Sequence, residues 1–346
     1  MDKDNLLKSF DPNGIGLENG HFIGLPFEEE QAELIVFPVP WDATVSYGAG
    51  TASGPENILQ ASTQLDLYDA DFPDFWKKGI YFIKPDQQIK KKSEQARSLA
   101  EQHIKFLEQG GKTESSQKHT ELLDNINRAC LSCKEYVYNE TKALLKKGKK
   151  IVLCGGSHAT PLGYLEALSE KHSEFGILQI DAHMDLREAY EGFTFSHASV
   201  MYNALKSPNI SQLTQVGIRD YCDAEKEYSL NRSERITVFH DATIKRSLYK
   251  GTNFDSIAEN IINTLPDKVY VSFDIDGLLP DLCPNTGTPV PGGLSFQQAI
   301  YLLVKLKESG KTIIGADLNE VAGLGHEWDG NVGARILYKL LALISS

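Results

Sequence analysis

Phe175-Gly176-Ile177-Leu178-Gln179-Ile180, followed at once by Asp181-Ala182-His183-Met184-Asp185, is the stretch on which the fold turns. The first six residues form a short apolar run of the kind that makes a buried strand. The next five put three potential metal ligands where that strand should end. Alternate side chains of an extended chain share a face, so Asp181, His183 and Asp185 can converge on one spot. Two carboxylates and one imidazole suit Mn, Zn, Fe or Ni, and there is no thiolate to favour a purely structural zinc. A lone Asp-x-His-x-Asp also arises by chance; its weight comes from the rest of the chain.

Strands and helices alternate on both sides of this stretch. Strands are expected at 33–40, 150–154, 175–180, 213–218, 235–240, 268–273 and 312–316. Helices are expected at 55–62, 161–171, 197–206, 222–230, 254–264, 295–309 and 331–343, and a mostly helical block at 88–147 breaks at Gly110-Gly111-Lys112. Such alternation implies βαβ crossovers and an α/β fold with a mainly parallel sheet covered on both faces. No repeat or interdomain linker interrupts it, so residues 33–346 read as one domain and residues 1–32 as an N-terminal extension. Trp41 to Pro55, rich in glycine and small residues, reads as a long loop able to cover a site, with Pro55 opening a helix.

The bulk numbers bound the function. With 346 residues, 41% hydrophobic and 24% charged, the chain can bury a sizeable core. A net charge of −12 argues against a nucleic-acid or anionic-membrane surface and is compatible with a cationic substrate. The N-terminus lacks the pattern of a signal peptide, no run approaches a membrane span, and five cysteines suggest reduced thiols; a cytoplasmic protein is expected. Cys130 and Cys133 form a CxxC without a second pair, and the simpler reading is two thiols on one helix.

Sites in open α/β sheets form at the carboxyl ends of strands. Gly155-Gly156-Ser157-His158 follows the strand at 150–154, and Asp274-Ile275-Asp276-Gly277 follows the strand at 268–273. Asp274 and Asp276 share a face and would repel unless a cation sits between them. His158, Asp181, His183, Asp185, Asp274 and Asp276 are more ligands than one ion needs. They fit two divalent metals, and such a pair ~3.5–4 Å apart makes hydroxide available at neutral pH.

GGSH at 155–158, DAHMD at 181–185, SFDIDG at 272–277, Thr286 to Gly293 and Asp317-Leu318-Asn319-Glu320 occur in the order and rough spacing of the ureohydrolase family, which the chain resembles over roughly 33–345. That family includes arginase, agmatinase, formimidoylglutamase and guanidine hydrolase. FDPNGIG at 10–16, GLPF at 24–27, VPWDATVSYGAGTA at 39–52 and SHASVMYNAL at 196–205 are most similar to the agmatinase and guanidine hydrolase group. The resemblance implies a three-layer αβα sandwich and two divalent ions, manganese by default with nickel as the alternative. It also implies hydrolysis of a guanidino C–N bond to release urea from a small cationic substrate, agmatine or guanidine, by a trimer or hexamer. On the same basis His158, Asp181, Asp185 and Asp274 hold one ion and His183, Asp181, Asp274 and Asp276 the other. Asp185 orients the nucleophile, His197 shuttles protons, Glu320 pairs with the guanidinium, and Thr288 and Asn319 lie beside the substrate.

Some positions depart from the family pattern. Ser157 replaces the usual Asp beside the ligand His158, Leu279 stands where an Asp is common, and Asn319 where an apolar residue is common. The loop from Leu186 to Phe195 lacks the Asn/Thr/Ser set by which arginases hold the amino acid end of arginine, which argues against arginase proper. Trp41, Tyr47, Phe193 and Phe195 are candidates for a small aromatic box around a short cation. Two other readings are a catalytically silent scaffold subunit and formimidoylglutamate hydrolysis; the presence of all six ligands speaks against the scaffold.

Overall fold

The computed structural model describes residues 2–345. Eight strands form one parallel sheet: β1 (Leu34–Val39), β2 (Ile80–Phe82), β3 (Lys150–Gly155), β4 (Phe175–Ile180), β5 (Ile210–Ile218), β6 (Ile236–His240), β7 (Lys268–Asp274) and β8 (Thr312–Asn319). Their spatial order is β2-β1-β3-β8-β7-β4-β5-β6, every neighbouring pair parallel. β4 lies between β7 and β5, with Ile177 level with Tyr270 and Leu213. All six of its residues are buried, as expected of a central strand in a parallel sheet covered on both faces.

The helices are α1 (Lys3–Ser9), α2 (Gly54–Ala61), α3 (Gln87–Glu108), α4 (Gln117–Lys146), α5 (Leu162–Lys171), α6 (Val200–Ala204), α7 (Asp223–Leu230), α8 (Asp241–Tyr249), α9 (Phe254–Asn263), α10 (Phe296–Glu308) and α11 (Glu327–Ser345). Their starts follow local chemistry. Asp86 caps α3 by accepting from the Gln88 and Ile89 amides, Ser295 and Gln298 form a reciprocal capping box on α10, and Pro55 occupies the first turn of α2. Helix α4 packs on α3 and α5, α11 packs on α2 and α10, and α4 and α11 both lie on β3, so the sheet lies between two helical layers. This is the three-layer αβα sandwich expected from the sequence. Among the described residues, no helix is long and apolar enough to cross a membrane.

Three elements escaped the sequence pattern. β2 is a three-residue edge strand, too short for any periodicity. α1 and α8 are short and mostly polar, and α1 is set by the Asp2 cap rather than by an apolar face. The helix expected at 197–206 is interrupted, with a 3-10 turn over His197–Ser199 before α6.

The N-terminal stretch contributes to the main core. Phe22, Leu25 and Phe27 are fully buried. The Phe22 ring stacks on Phe82, 6.3 Å between centroids, and lies 6.4 Å from Tyr338 of α11. Removing that ring leaves a void at the junction of β2 and α11, so Phe22→Ala is expected to cost about 3–5 kcal/mol of stability, read from the denaturant midpoint. A loss under about 1 kcal/mol would show the segment to be only loosely attached.

Candidate metal centre and active site

β3, β8, β7 and β4 are adjacent in the middle of the sheet, and their carboxyl ends deliver the polar residues to one place. Around Nδ1 of His158 stand Asp181 Oδ2 at 3.0 Å, Asp185 Oδ2 at 3.0 Å and Asp274 Oδ2 at 3.3 Å. Nδ1 is buried, yet it has no hydrogen-bond partner among the described residues. Donor atoms bound side by side to one small divalent ion at about 2.1 Å stand roughly 3 Å apart, so this spacing fits atoms facing a common centre. A second set lies alongside: His183 Nδ1 is 3.1 Å from Asp276 Oδ2 and 3.6 Å from Asp181 Oδ1. His158, Asp181 and Asp185 make one potential ion-holding group, Asp181, His183 and Asp276 the other, and Asp181 belongs to both. Asp274 stands at the edge of the first group, its other oxygen accepting from the Asp276 amide at 2.9 Å.

Backbone amides set this arrangement. The His183 N–H donates to Asp181 Oδ1 at 2.6 Å, and the Ala182 N–H to Asp276 Oδ1 at 3.0 Å. Gly277 allows the β7 turn to press against β4, since a Cβ there would lie 2.7 Å from the Asp181 nitrogen. Asp185 and Glu320 both adopt left-handed backbone, with φ of 55° and 61°, a conformation that L residues hold only when the surroundings over-determine it. The Asp185 carbonyl is gripped by the amides of Met201 and Tyr202, and the Arg187 amide donates to the Ala198 carbonyl, which brings His197 to the centre.

The electrostatics match a cluster built around cations. Burial, and then the charge of Asp181, raises the Asp185 carboxyl to about 7, and burial with Asp276 and Asp181 raises Asp274 well above the carboxylate range. Burial opposes charge on both histidines, but the carboxylates outweigh it. His158 is raised well above the usual imidazole range by Asp181, Asp185 and Asp274, and His183 to about 12 by Asp276 and Asp181. Asp181 is the exception, held well below the usual carboxylate range by His158 and His183 despite its burial; divalent charge relieves the crowding at Asp185 and Asp274. The donor set, oxygen with imidazole nitrogen and no thiolate, fits Mn, Zn, Fe or Ni.

Supporting residues that motif spacing had not singled out complete the centre. His158 Nε2 donates to Ser272 Oγ at 2.9 Å, and Ser272 donates on to Asp317 Oδ1 at 3.0 Å, which leaves the Nδ1 lone pair for the centre. Gln179 Nε2 donates to Asp181 Oδ2 at 2.7 Å, and Gln215 Nε2 supports Gln179 Oε1 at 2.7 Å. The one polar residue in the apolar run of β4 was the visible signal. Gln179→Met should keep the core packed but free Asp181 to rotate, so metal affinity is expected to fall about 10–100-fold, measured by competition with a chelating dye. Unchanged affinity would remove Gln179 from the centre's support.

The Ser157 hydroxyl accepts from the Ala159 amide at 3.2 Å and serves the turn. Asn319, expected beside the substrate, is fully buried behind the centre. Its amide donates to Asp317 Oδ1 at 2.5 Å and its carbonyl accepts from Thr160 at 2.8 Å. Glu320 is buried with Oε1 accepting from the His158 amide at 2.8 Å and Oε2 unpartnered among the described residues. Burial raises its carboxyl to about 8, with Asp276 and Asp185 adding to the effect. Thr288 donates weakly to Asp276 Oδ2, at 3.4 Å. Burial, and then the His183 and His158 imidazoles, push His197 down, and its Nδ1 is buried without a partner among the described residues.

A cavity of about 150 Å³ opens over His183, Asp185 and His197, walled by Ser46, Arg187 and Tyr190. Beside it, a recess bounded by Val45 to Gly48, His197 and Thr288 reaches Glu320. The loop at 41–53 therefore does border the site. Asp42 Oδ2 holds it folded by accepting from the amides of Gly50 and Ala52, and the Gly48 amide donates to Gly287. The expected aromatic box is corrected in its members. Trp41 and Phe193 are core residues, and Phe195 faces a separate groove under Lys134. Tyr190 and Tyr221 line the cavity, and Tyr47 borders only the recess.

A buried set of imidazoles and carboxylates at parallel strand ends, next to a small polar cavity, defines a hydrolase of the metal-binding kind. The arginase family pattern matches residues 32–342, and the chain belongs to that family. It is accordingly a hydrolase acting on carbon–nitrogen bonds of linear amidines. An N(1)-aminopropylagmatine ureohydrolase from Synechocystis sp. is 31% identical over 318 residues, covering 90% of this chain and 88% of the relative. An agmatinase from Bacillus anthracis is 27% identical, covering 85% and 84%. The agmatine ureohydrolase structure from Thermoplasma volcanium superposes with a TM-score of 0.70 at 21% identity, over 98% of this chain and 96% of that one, which shows the shared fold.

Proposed function

We propose that the protein is a binuclear-metal ureohydrolase that releases urea from a small guanidino compound, with guanidine and agmatine as the candidates. The observation that carries this reading is the pair of His/Asp groups sharing Asp181 beside a recess where Glu320 keeps one buried oxygen free. His158, Asp181 and Asp185, with Asp274, would hold one ion, and His183, Asp181 and Asp276, with Asp274, the other. Manganese is the default and nickel the alternative. A pair of divalent ions held there supplies hydroxide at neutral pH.

The chain's own residues do the rest. Glu320 Oε2 gains the partner it lacks when a guanidinium reaches it, which requires the closed recess under residues 45–48 to widen, and that pairing turns the planar carbon toward the centre. Asp185 orients the attacking oxygen and receives its proton. The neutral imidazole of His197, with a free Nδ1, relays a proton to the departing nitrogen, which leaves as amine or ammonia while the carbon leaves as urea. The family resemblance also supports a trimer or hexamer in the cytoplasm.

The test is product release by protein charged separately with Mn²⁺ and Ni²⁺ on guanidine, agmatine, arginine, 4-guanidinobutyrate and formimidoylglutamate. Urea from guanidine or agmatine supports the reading. Glutamate from formimidoylglutamate alone would redirect it, and inactivity with two ions demonstrably bound would favour the scaffold.

A further inference from the structure

Arg187 sits in the wall of the 150 Å³ cavity, two residues beyond Asp185. Its guanidinium lies over the Tyr190 ring, 4.7 Å from the centroid, and its side chain is 35% exposed. Its Nε faces Glu225 Oε2 at 3.6 Å. Glu225 is a buried anchor: Oε1 accepts from the Leu186 amide at 3.1 Å and Oε2 from the Cys222 amide at 3.0 Å. That carboxylate is spent on backbone and on the inner edge of Arg187. The two terminal nitrogens of Arg187 have no hydrogen-bond partner among the described residues. Of the other acidic groups at the cavity, Asp185 faces His158 Nδ1 at 3.0 Å and belongs to the centre, and Asp220 has a side chain 68% exposed and faces His183 Nε2 at 3.9 Å, so solvent screens it. The Tyr190 ring meets His197 edge-on at 6.3 Å, which sets the Arg187–Tyr190 stack directly against the reacting end.

A planar cation held on an aromatic face, with free paired N–H donors, is a carboxylate receptor and a barrier to a second cation. We propose that Arg187 sets substrate choice: the site takes a guanidino compound whose remainder is absent or carries a carboxylate, and disfavours one with a distal ammonium. This rests on the ureohydrolase reading and narrows its substrate class away from agmatine. The chemistry also differs from the cationic tails named in the agmatinase-type relatives.

Agmatine and 4-guanidinobutyrate are nearly equal in length and opposite in tail charge, so their kcat/KM ratio isolates the effect. A compound that is not turned over is measured as a competitive inhibitor of guanidine hydrolysis, and the ratio is taken from its inhibition constant. Wild-type protein should favour the carboxylate by about 10-fold or more. Arg187→Gln should bring the ratio near unity, and Arg187→Glu should invert it. Should Arg187→Glu fail to fold beside Glu225, the glutamine variant decides alone. A wild-type preference for agmatine, or a ratio that stays within about threefold across the variants, overturns the assignment. Absence of turnover on every guanidino compound by metal-charged wild type overturns the ureohydrolase reading, and this inference with it.

Discussion

Asp181→Asn is expected to leave the protein without either metal ion and to lower guanidino hydrolysis by ~10⁴-fold or more, ~5 kcal/mol of transition-state stabilisation. Among the described residues Asp274 stands at the edge of the first compact donor group, whereas Asp181 belongs to both. Its Oδ2 faces His158 Nδ1 and accepts from Gln179, while its Oδ1 accepts from the His183 amide. An asparagine has one acceptor oxygen for these duties, so its NH₂ must point either at another donor or at the ion. The substitution also removes one of the four buried charges that balance two divalent ions. Metal content should therefore be graded across variants. Asp185→Asn and Asp276→Asn each disturb a single group and should leave close to one ion per chain, whereas Asp181→Asn should leave close to none. Loss of fold is separable by comparing the denaturant midpoints of the two metal-free proteins. Two ions retained by the Asp181→Asn protein would falsify the shared-ligand arrangement.

The legibility of this centre in the sequence has a simple physical origin. A parallel sheet puts all its strand ends on one side, so ligands that follow strands at 154, 180 and 273 must gather once the strands are recognised. β4 and β7 were recognisable because burial on both faces demands continuous apolar runs. The supporting polar residues were less visible, because Ser272 and Gln215 sit inside strands where local patterning says nothing about a hydrogen bond to a neighbouring strand. Asn319 shows the converse. It adjoins Glu320 in sequence, but successive residues on a strand face opposite sides, and its amide is spent on Asp317 and Thr160. The aromatic wall failed for a related reason. Which rings of the 186–195 loop turn inward depends on packing against α3 and α4, where Phe193 meets His103, and nothing in the loop's own residues specifies that contact.

Glu320→Gln should lower kcat/KM for the best guanidino substrate by about 10²–10⁴-fold, ~3–5 kcal/mol, while metal content and fold stay as in the wild type. The carboxylate is held in left-handed backbone at the end of β8, with Oε1 fixed by the His158 amide and Oε2 buried and free. A glutamine keeps the first contact through its carbonyl oxygen and puts an NH₂ where a guanidinium must dock, exchanging attraction for donor-against-donor contact. Burying a lone carboxylate is costly, and burial accordingly lifts this one to about 8. A cationic substrate reverses that cost, so much of its affinity for the recess comes from completing Glu320. Replacement by alanine would confound the experiment by leaving the His158 amide unpaired and disturbing a metal ligand; the isosteric amide avoids this. The loss should be similar for guanidine and for tailed substrates, since all present the same guanidinium to Oε2. A loss confined to one tailed substrate would instead place Glu320 at the tail, and the recess would then have to be read in the opposite direction.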